Sequence, residues 1–409
     1  MPTTSVERYP LVLWTMAPVF VLAPAITCVA PRIMIALYAI CAFISVVARV
    51  IETRKLPPID KTLGFGVLGF VVYGCITQLW TIAPDQTFSK AFEMGAIFIL
   101  TAMLLPIITS IDARARKCLG MLLAAGLLLG LGTYMFEAFN NFPLYDLVRG
   151  GQSHDVPDIK QNKVVFLLAV WGYLAFPYFI KNTDKFKKAV FALLAIGIYA
   201  ATFMSESASS QGILLMLPVL AALLFIIPVR ASLTLTLLVA AALSVFMPVI
   251  AIATFNHTDW KTSPYLNRSL QSRIEIWDQT SRRTAEKPVL GWGLDSAQYM
   301  PDRGERSSLY GPIDPPKINH LHPHNGPLQI WFELGLIGIA GLCALFALFY
   351  KRIKNIASLA GQRYAIFTWA IVFLYTLSIW GIWQSWFVAS LCFAGVMTAS
   401  GVRHLEDRA

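Results

Sequence analysis

Three of the six histidines of this 409-residue chain lie within the run His320-Leu321-His322-Pro323-His324, which Asn325 follows. Imidazoles are common zinc ligands, so the run could hold a metal ion. Neither a His-Glu-x-x-His motif nor a neighbouring cysteine accompanies it, which makes the metal signal weak. An imidazole can also act as a general base, because its pKa lies near neutrality. The residues alone indicate one of these two roles.

A second polar segment lies upstream of the histidines. Apolar residues recur at helical spacing across 268–284, which predicts an amphipathic helix at the membrane surface. This helix carries Arg273, Arg282 and Arg283. A guanidinium offers two parallel donors to a phosphate and keeps its charge, whereas a basic interfacial helix can equally contact anionic lipid headgroups. Lipid contact is our interpretation for Arg282 and Arg283, and these arguments leave Arg273 open between the two.

Other ionisable residues collect near the predicted ends of apolar segments. Burying a charge at membrane depth is costly, so such residues are candidate functional groups. For Glu93 and Glu137 the better interpretation is a polar residue at the wet end of a helix, and Glu206 lies in the turn 205–211. The segment 139–163 adds further cations and a histidine: Arg149, His154, Lys160 and Lys163.

The composition predicts a membrane scaffold for these residues. Apolar residues make up 56% of the chain and charged residues 14%, whereas a soluble domain has about 25% charged residues. This excludes a soluble enzyme, a disordered chain and a secreted disulfide scaffold. A spanning helix needs about 20 mostly apolar residues. The windows that qualify are 11–30, 33–50, 63–82, 91–110, 118–138, 164–180, 187–204, 211–229, 232–255, 326–350, 364–382 and 385–402. The predicted fold is therefore an all-α polytopic integral membrane protein with about 12 transmembrane helices.

The distribution of basic residues predicts the orientation of these spans. The chain has 33 Lys and Arg against 23 Asp and Glu, a net charge of +10. With twelve spans and an inside N-terminus, more than half of the basic residues fall in short loops on one side, which predicts that this side is cytoplasmic. Both termini are then cytoplasmic, and the loop 256–325 between the ninth and tenth spans is periplasmic. The predicted organisation is one membrane domain, 1–409, with that loop as an insertion.

The charge distribution, the cysteine positions and the motifs argue against several partners and cofactors. The basic excess reflects membrane orientation, so no nucleic acid is expected as a partner. All six cysteines lie in or at the edge of apolar windows, which implies neither a disulfide framework nor a cysteine-based metal site. The chain contains no Walker loop and no dinucleotide fingerprint, so ATP-driven transport is disfavoured.

Three short motifs resemble elements of one known superfamily. The segment 324–338 contains His-Asn, nine further residues and Gly-x-x-Gly. It is similar to a signature of the O-antigen ligases and O-antigen polymerases, a superfamily that also includes bacterial O-oligosaccharyltransferases. The segment 272–277, Ser-Arg-x3-Trp, and the segment 290–293, Leu-Gly-Trp-Gly, resemble two further elements in the same order. Gly335, Gly338 and Gly341 are also spaced to allow close packing of a neighbouring helix.

The resemblance implies an inner-membrane, multi-pass glycosyltransferase with a GT-C-like fold. Such an O-antigen ligase transfers O-antigen polysaccharide from undecaprenyl diphosphate to lipid A-core oligosaccharide in lipopolysaccharide biosynthesis, without a metal ion or other cofactor. Carried onto this chain, His324 would be the general base and Arg273 would bind the donor diphosphate. The chemistry is consistent with this, because a departing diphosphate needs cations to stabilise its charge. The active site would face the periplasm among membrane lipids.

The chain departs from the superfamily in one respect. Members usually have a second outer arginine near the start of a middle span, whereas the turn 205–211 contains Glu206 and no arginine. Lys163, at the mouth of the sixth span, is our first choice for the missing cation. Arg149, Lys160 and Arg268 are the other candidates, and the residues expected to support the site are Asn325, His322 and Glu206.

Other functions remain open from the sequence. An O-antigen polymerase or a protein O-oligosaccharyltransferase would use the same donor with a different acceptor. A lipid or glycan transporter is a more distant alternative, because transporters usually place ionisable residues near the middle of the membrane. Here the interiors of the predicted spans are nearly free of charge and the polar residues collect in an outer loop.

Overall fold

A computed structural model describes residues 11–148, 157–179, 184–300, 322–378 and 380–408, and all regular structure in these ranges is helical. Arg149, His154 and His320 lie outside the described residues, as does the side chain of Lys160. The helices are α1 Leu11–Val29, α2 Met34–Thr53, α3 Lys61–Ile76, α4 Pro84–Ser110, α5 Ala113–Phe139, α6 Pro143–Val148, α7 Pro157–Ala175, α8 Lys185–Met204, α9 Ala208–Ile226, α10 Val229–His257, α11 Arg268–Glu286, α12 Gly326–Lys354, α13 Leu359–Thr376 and α14 Ser385–Glu406.

The described helices confirm an all-α polytopic membrane protein. Within the described ranges, ten helices are long and apolar enough to cross a membrane: α1 to α5, α8 to α10, α12 and α14. The predicted windows 164–180 and 364–382 correspond to α7 and α13, which are helical but do not belong to these ten. The number of spans is therefore ten by length and composition in the described residues, against about 12 predicted.

The bundle has a buried centre and a lipid-compatible surface. Helix α14 lies at the centre, with contacts to α2, α4, α5, α7 and α13. Its Phe393 packs edge-on against Phe20 and Trp171, with ring centres 5.1 and 5.4 Å apart. Helix α3 lies at the periphery, where Phe65 and Leu68 are exposed. Exposed apolar side chains of this size are suited to contact with lipid tails.

One end of the bundle carries the residues between α10 and α12, and we call it the loop end. Leu294 ties this segment to two spans there, because its backbone nitrogen donates to Thr77 Oγ1 at 3.2 Å and its carbonyl accepts from Thr87 Oγ1 at 2.8 Å. Lys90 Nζ of α4 lies 3.4 Å from Ser385 Oγ at the start of α14. The start of α4 and the start of α14 therefore meet at this end.

Helix α12 is broken at Gly335, where φ is 61° and ψ is −155°. Residues 288–293 pair with the break: Trp292 N donates to Phe332 O at 2.8 Å, and Leu336 N donates to Pro288 O at 2.8 Å. A Cβ on Gly335 would lie 2.3 Å from Val289 O, so this approach requires glycine. Of the glycines spaced for close packing, Gly335 meets a neighbouring backbone, whereas an added Cβ on Gly341 would meet nothing within 4 Å in the described residues.

Candidate functional site

Helix α11 is held against the bundle. Asn267 caps it, since its side chain accepts from Leu270 N at 2.9 Å, a favourable arrangement for Asn at this position. Gln271 Nε2 donates to Trp260 O at 3.0 Å, and Ile274 is buried. The predicted helix is confirmed, but it packs on α10 and α12 and does not lie free on the membrane surface. Its side chains are therefore fixed relative to the spans.

Arg273 joins this helix to α9. Its Nη1 donates to Ser209 Oγ at 2.6 Å, in the first turn of α9. In the part of the chain that the structure describes, no carboxylate forms an ion pair with it. Burial lowers the pKa of the Arg273 guanidinium, because desolvation disfavours the charged form. A guanidinium has five N–H donors, so this side chain is suited to bind an anion.

Two further arginines of α11, Arg282 and Arg283, are paired. Arg282 Nε lies 2.9 Å from Asp278 Oδ2, and Arg283 Nη1 lies 2.7 Å from Glu286 Oε1. Both ion pairs are formed within the helix, at spacings of four and three residues. Neither arginine therefore depends on lipid phosphate for a counter-charge. An ion pair within the helix is a simpler role for both than the lipid contact that the sequence suggested.

Trp277 connects α11 to the histidine segment. It lies one helical turn beyond Arg273, on the same face. Its Nε1 donates to Pro323 O at 2.8 Å, between His322 and His324. This hydrogen bond brings the Ser-Arg-x3-Trp segment and the His-Asn segment together at the loop end, although they are far apart along the chain.

His324 lies in an unusual backbone conformation immediately before the cap of α12. Its φ is 55°, which is uncommon outside glycine and occurs often at functional positions. The His324 side chain is partly exposed, whereas His322 is buried. Their ring centres are 4.3 Å apart at an interplanar angle of 64°. His322 in turn packs on Gly381, where an added Cβ would lie 3.1 Å from its Cδ2.

Asn325 has a structural role that its place in the motif did not reveal. Its side-chain oxygen accepts from Leu328 N at 3.0 Å and so caps α12. Its Nδ2 donates to Leu377 O at 3.1 Å, at the end of α13. Asn325 therefore fixes where α12 starts and joins that start to the connection between α13 and α14.

Three further predicted site residues lie on other parts of the chain. Lys163 Nζ lies 5.3 Å from the centre of the Trp386 ring, at the start of α14. Arg268 is the exposed first residue of α11, and Glu206 is exposed between α8 and α9. The hydrogen bond from Trp277 to Pro323 joins the helix of Arg273 to the segment that contains His322, His324 and Asn325.

Glu137 and Glu93 have local partners. Glu137 is buried and accepts from Leu144 N and Tyr145 N, both at 2.9 Å, so it holds the start of α6. Glu93 pairs with Lys90 at 2.8 Å, and Lys90 is 4.0 Å from Asp295. Burial raises the pKa of Asp295 to about 6; Glu93 adds to this effect and Lys90 opposes it. Asp295 was not singled out from the sequence, because no motif contains it.

Glu333 was also missed. It is fully buried in the first half of α12, and Asn325, Gln329 and Glu333 recur at intervals of four on this helix. That spacing places three polar side chains on one face of an otherwise apolar segment, which is a signal that helical periodicity could have detected.

Comparisons with known proteins support the resemblance that the motifs indicated. Residues 189–343 match a family model described as O-Antigen ligase. A relative from Rickettsia conorii named "Putative polysaccharide ligase" is 27% identical over 122 residues, which cover 30% of this chain and 29% of the relative. A protein of the same name from Rickettsia felis is 28% identical over 123 residues, 30% of each chain. Each match therefore spans less than a third of the relative. Arg273, His324 and Gly335 all lie within the matched residues, so the match includes the motifs on which the resemblance rests.

Proposed function

We propose that this chain is an O-antigen ligase that transfers O-antigen polysaccharide from undecaprenyl diphosphate to lipid A-core oligosaccharide. The match of residues 189–343 to the family model and the names of the relatives support a polysaccharide ligase, and the helices support a multi-pass membrane protein. The proposed orientation is that of the sequence analysis, in the bacterial inner membrane with cytoplasmic termini and the loop end in the periplasm. The proposed fold is a single GT-C-like membrane domain with the insertion 256–325.

One observation carries this proposal. Arg273 is a largely desolvated guanidinium without a carboxylate partner in the described residues, and the hydrogen bond from Trp277 to Pro323 ties its helix to the His324 turn. A buried cation needs an anion to offset the cost of desolvation. A diphosphate supplies that anion beside an imidazole, as transfer from a lipid diphosphate requires.

The proposed reaction needs only side chains of this chain. The acceptor sugar hydroxyl attacks C1 of the first glycan sugar, the bond between C1 and the diphosphate oxygen breaks, and a new glycosidic bond forms. His324 takes the hydroxyl proton as general base. The bond electrons leave with the diphosphate, whose charge Arg273 stabilises by paired N–H donors. No metal ion or nucleotide is required in this scheme.

A second cation is proposed to share the diphosphate charge. Lys163 remains the first choice, because it lies at the loop end beside the start of α14. Arg149 and Arg268 are the alternatives. Each of the three residues would be replaced by Gln in the purified enzyme. The substitution of the residue that binds the diphosphate is expected to raise the KM for the lipid-linked donor most.

The test is reconstitution of the purified chain with lipid-linked O-antigen and lipid A-core. Wild type is expected to form the ligated product, and His324→Ala is expected to lose at least 100-fold in rate while remaining folded, within the 10²–10⁴-fold range typical of general bases. Absence of product from the wild type would refute the ligase, and retained activity of His324→Ala would refute the base. Deletion in cells separates the related reactions: loss of a ligase leaves bare lipid A-core, whereas loss of a polymerase leaves caps of a single repeat.

A further inference from the structure

Three side chains on one face of α12 bind the connection between α13 and α14, and we call them the α12 ladder: Asn325, Gln329 and Glu333. Asn325 Nδ2 donates to Leu377 O at 3.1 Å. Ile382 N donates to Gln329 Oε1 at 2.9 Å. The indole nitrogen of Trp383 donates to Glu333 Oε2. Each member of the ladder therefore bonds to a different point of residues 377–383.

Glu333 is the member with most partners. Besides Trp383, its carboxylate accepts from Gln329 Nε2 at 2.8 Å, from Asp295 N at 2.8 Å and from Ala297 N at 3.2 Å. Four donors from three segments converge on a side chain with no exposure to solvent. A carboxylate offers only acceptor atoms, so no other side chain of this size would satisfy all four donors.

The ladder is connected to the proposed base in two ways. Along α12, it runs to the cap residue Asn325, which immediately follows His324. Through the connection, it holds Ile382 and Trp383, which adjoin Gly381, and the His322 ring packs on that glycine. The His322 ring is the edge-on neighbour of the His324 ring. His324 is thus linked to the α12 ladder both through the next residue, Asn325, and through the neighbouring ring of His322.

We propose that Glu333 is a positioning residue that holds His324 in its reactive place through the α12 ladder and the α13–α14 connection. The proposal rests on the proposed role of His324 as base. Glu333 does not itself touch the reacting atoms, since nine residues of helix at 1.5 Å per residue place it about 13 Å away along α12. Its role is to hold together three segments that would otherwise move independently.

The experiment measures kcat and the KM for lipid-linked donor in Glu333→Gln and Trp383→Phe. In Glu333→Gln an amide NH2 replaces one oxygen and opposes two of the four donors, whichever way it is oriented. We expect kcat to fall about 10- to 100-fold, since a displacement of about 1 Å can cost about 100-fold. The KM for donor is expected to stay within about threefold, because Arg273 lies on α11 outside the ladder.

Trp383→Phe removes a single donor and keeps the ring that packs on Phe70, so it remains informative if Glu333→Gln does not fold. We expect its kcat to fall about three- to tenfold. The matched control is Trp331→Phe, which deletes the indole donor to Ser244 O at 2.8 Å on another face of α12. The control for the carboxylate is Glu286→Gln, an exposed partner of Arg283. Both controls are expected to stay within about threefold of wild type.

The outcomes separate this proposal from the proposed function. If the wild type forms product, His324→Ala does not, and a folded Glu333→Gln or Trp383→Phe keeps kcat within threefold of its control, the positioning role is refuted and the function stands. A rise in donor KM with unchanged kcat also refutes it. If the wild type forms no product, the proposed function is refuted, and the positioning role that rests on it is refuted with it.

Discussion

Replacing Gly335 by Ala tests whether the break in α12 supports the site. Gly335 has φ 61° and ψ −155°, a region that is essentially restricted to glycine. A Cβ there would lie 2.3 Å from Val289 O and 2.7 Å from Gly291 N. Both neighbours are backbone atoms, so neither can rotate away as a side chain would. The paired segment 288–293 must therefore move away from α12.

The loss in free energy of unfolding expected for Gly335→Ala has two parts. Forcing a residue with a Cβ into this backbone region costs about 1–3 kcal/mol. Opening the pairing removes three backbone hydrogen bonds, from Trp292 to Phe332, from Gly293 to Glu333 and from Leu336 to Pro288. Each contributes about 1 kcal/mol net. The expected destabilisation of Gly335→Ala is therefore about 4–6 kcal/mol.

Gly341→Ala is the matched control on the same helix. An added Cβ there would meet nothing within 4 Å in the described residues, and Ala is the better helix former by about 1 kcal/mol. We expect no destabilisation from this change.

The assay is thermal unfolding of the purified proteins in one detergent at one scan rate, followed by the rate of glycan transfer at a temperature where all variants are folded. Gly335→Ala should melt several degrees below wild type and transfer slowly, whereas Gly341→Ala should match or exceed wild type. Equal melting temperatures for the two variants would refute the role assigned to the break.

Three further predictions concern charge and metal. Arg273→Lys should lose at least about 10-fold in transfer, because an ammonium lacks the paired donors of a guanidinium; Arg283→Lys is the control, and equal rates would show that Arg273 does not bind the diphosphate. Asp295→Asn should melt higher than wild type at pH 7.5, and by clearly less at pH 4.5. The pKa of Asp295 is raised from 3.8 to about 6, so its contribution to stability is present below about pH 4 and lost as pH rises through 6, by up to about 3 kcal/mol at about 1.4 kcal/mol per pKa unit. An equal shift at both pH values would contradict this. Transfer should continue after treatment with a chelator, and loss of activity that zinc restores would return the histidine run to its metal interpretation.

Several features could be predicted from the sequence because they depend on residues that are close along the chain. Long apolar segments with few charges predict membrane helices, since the bilayer cannot satisfy an exposed backbone. Helical spacing predicted α11 with its bounds nearly as observed. The motif order predicted Arg273 and His324 as members of one site, and both residues lie within the segment that matches the family model.

Other features could not be predicted, because they depend on which distant donors and acceptors meet. Whether an arginine is paired is such a feature: Arg282 and Arg283 have carboxylate partners, whereas Arg273 donates to a serine of another helix. Asn325 gave a motif match, but its bond to Leu377 requires the packing of α12 against α13.

The sequence by itself determined that this is an all-α membrane protein whose polar chemistry collects in one loop, because composition and hydrophobic length decide those properties locally. Only the tertiary structure decided how that loop is held. The glycines at 335, 338 and 341 look alike in sequence, yet only Gly335 breaks α12, because only there does another backbone segment approach within hydrogen-bonding distance. Glu333 likewise acquires its place from four donors that three separate segments supply.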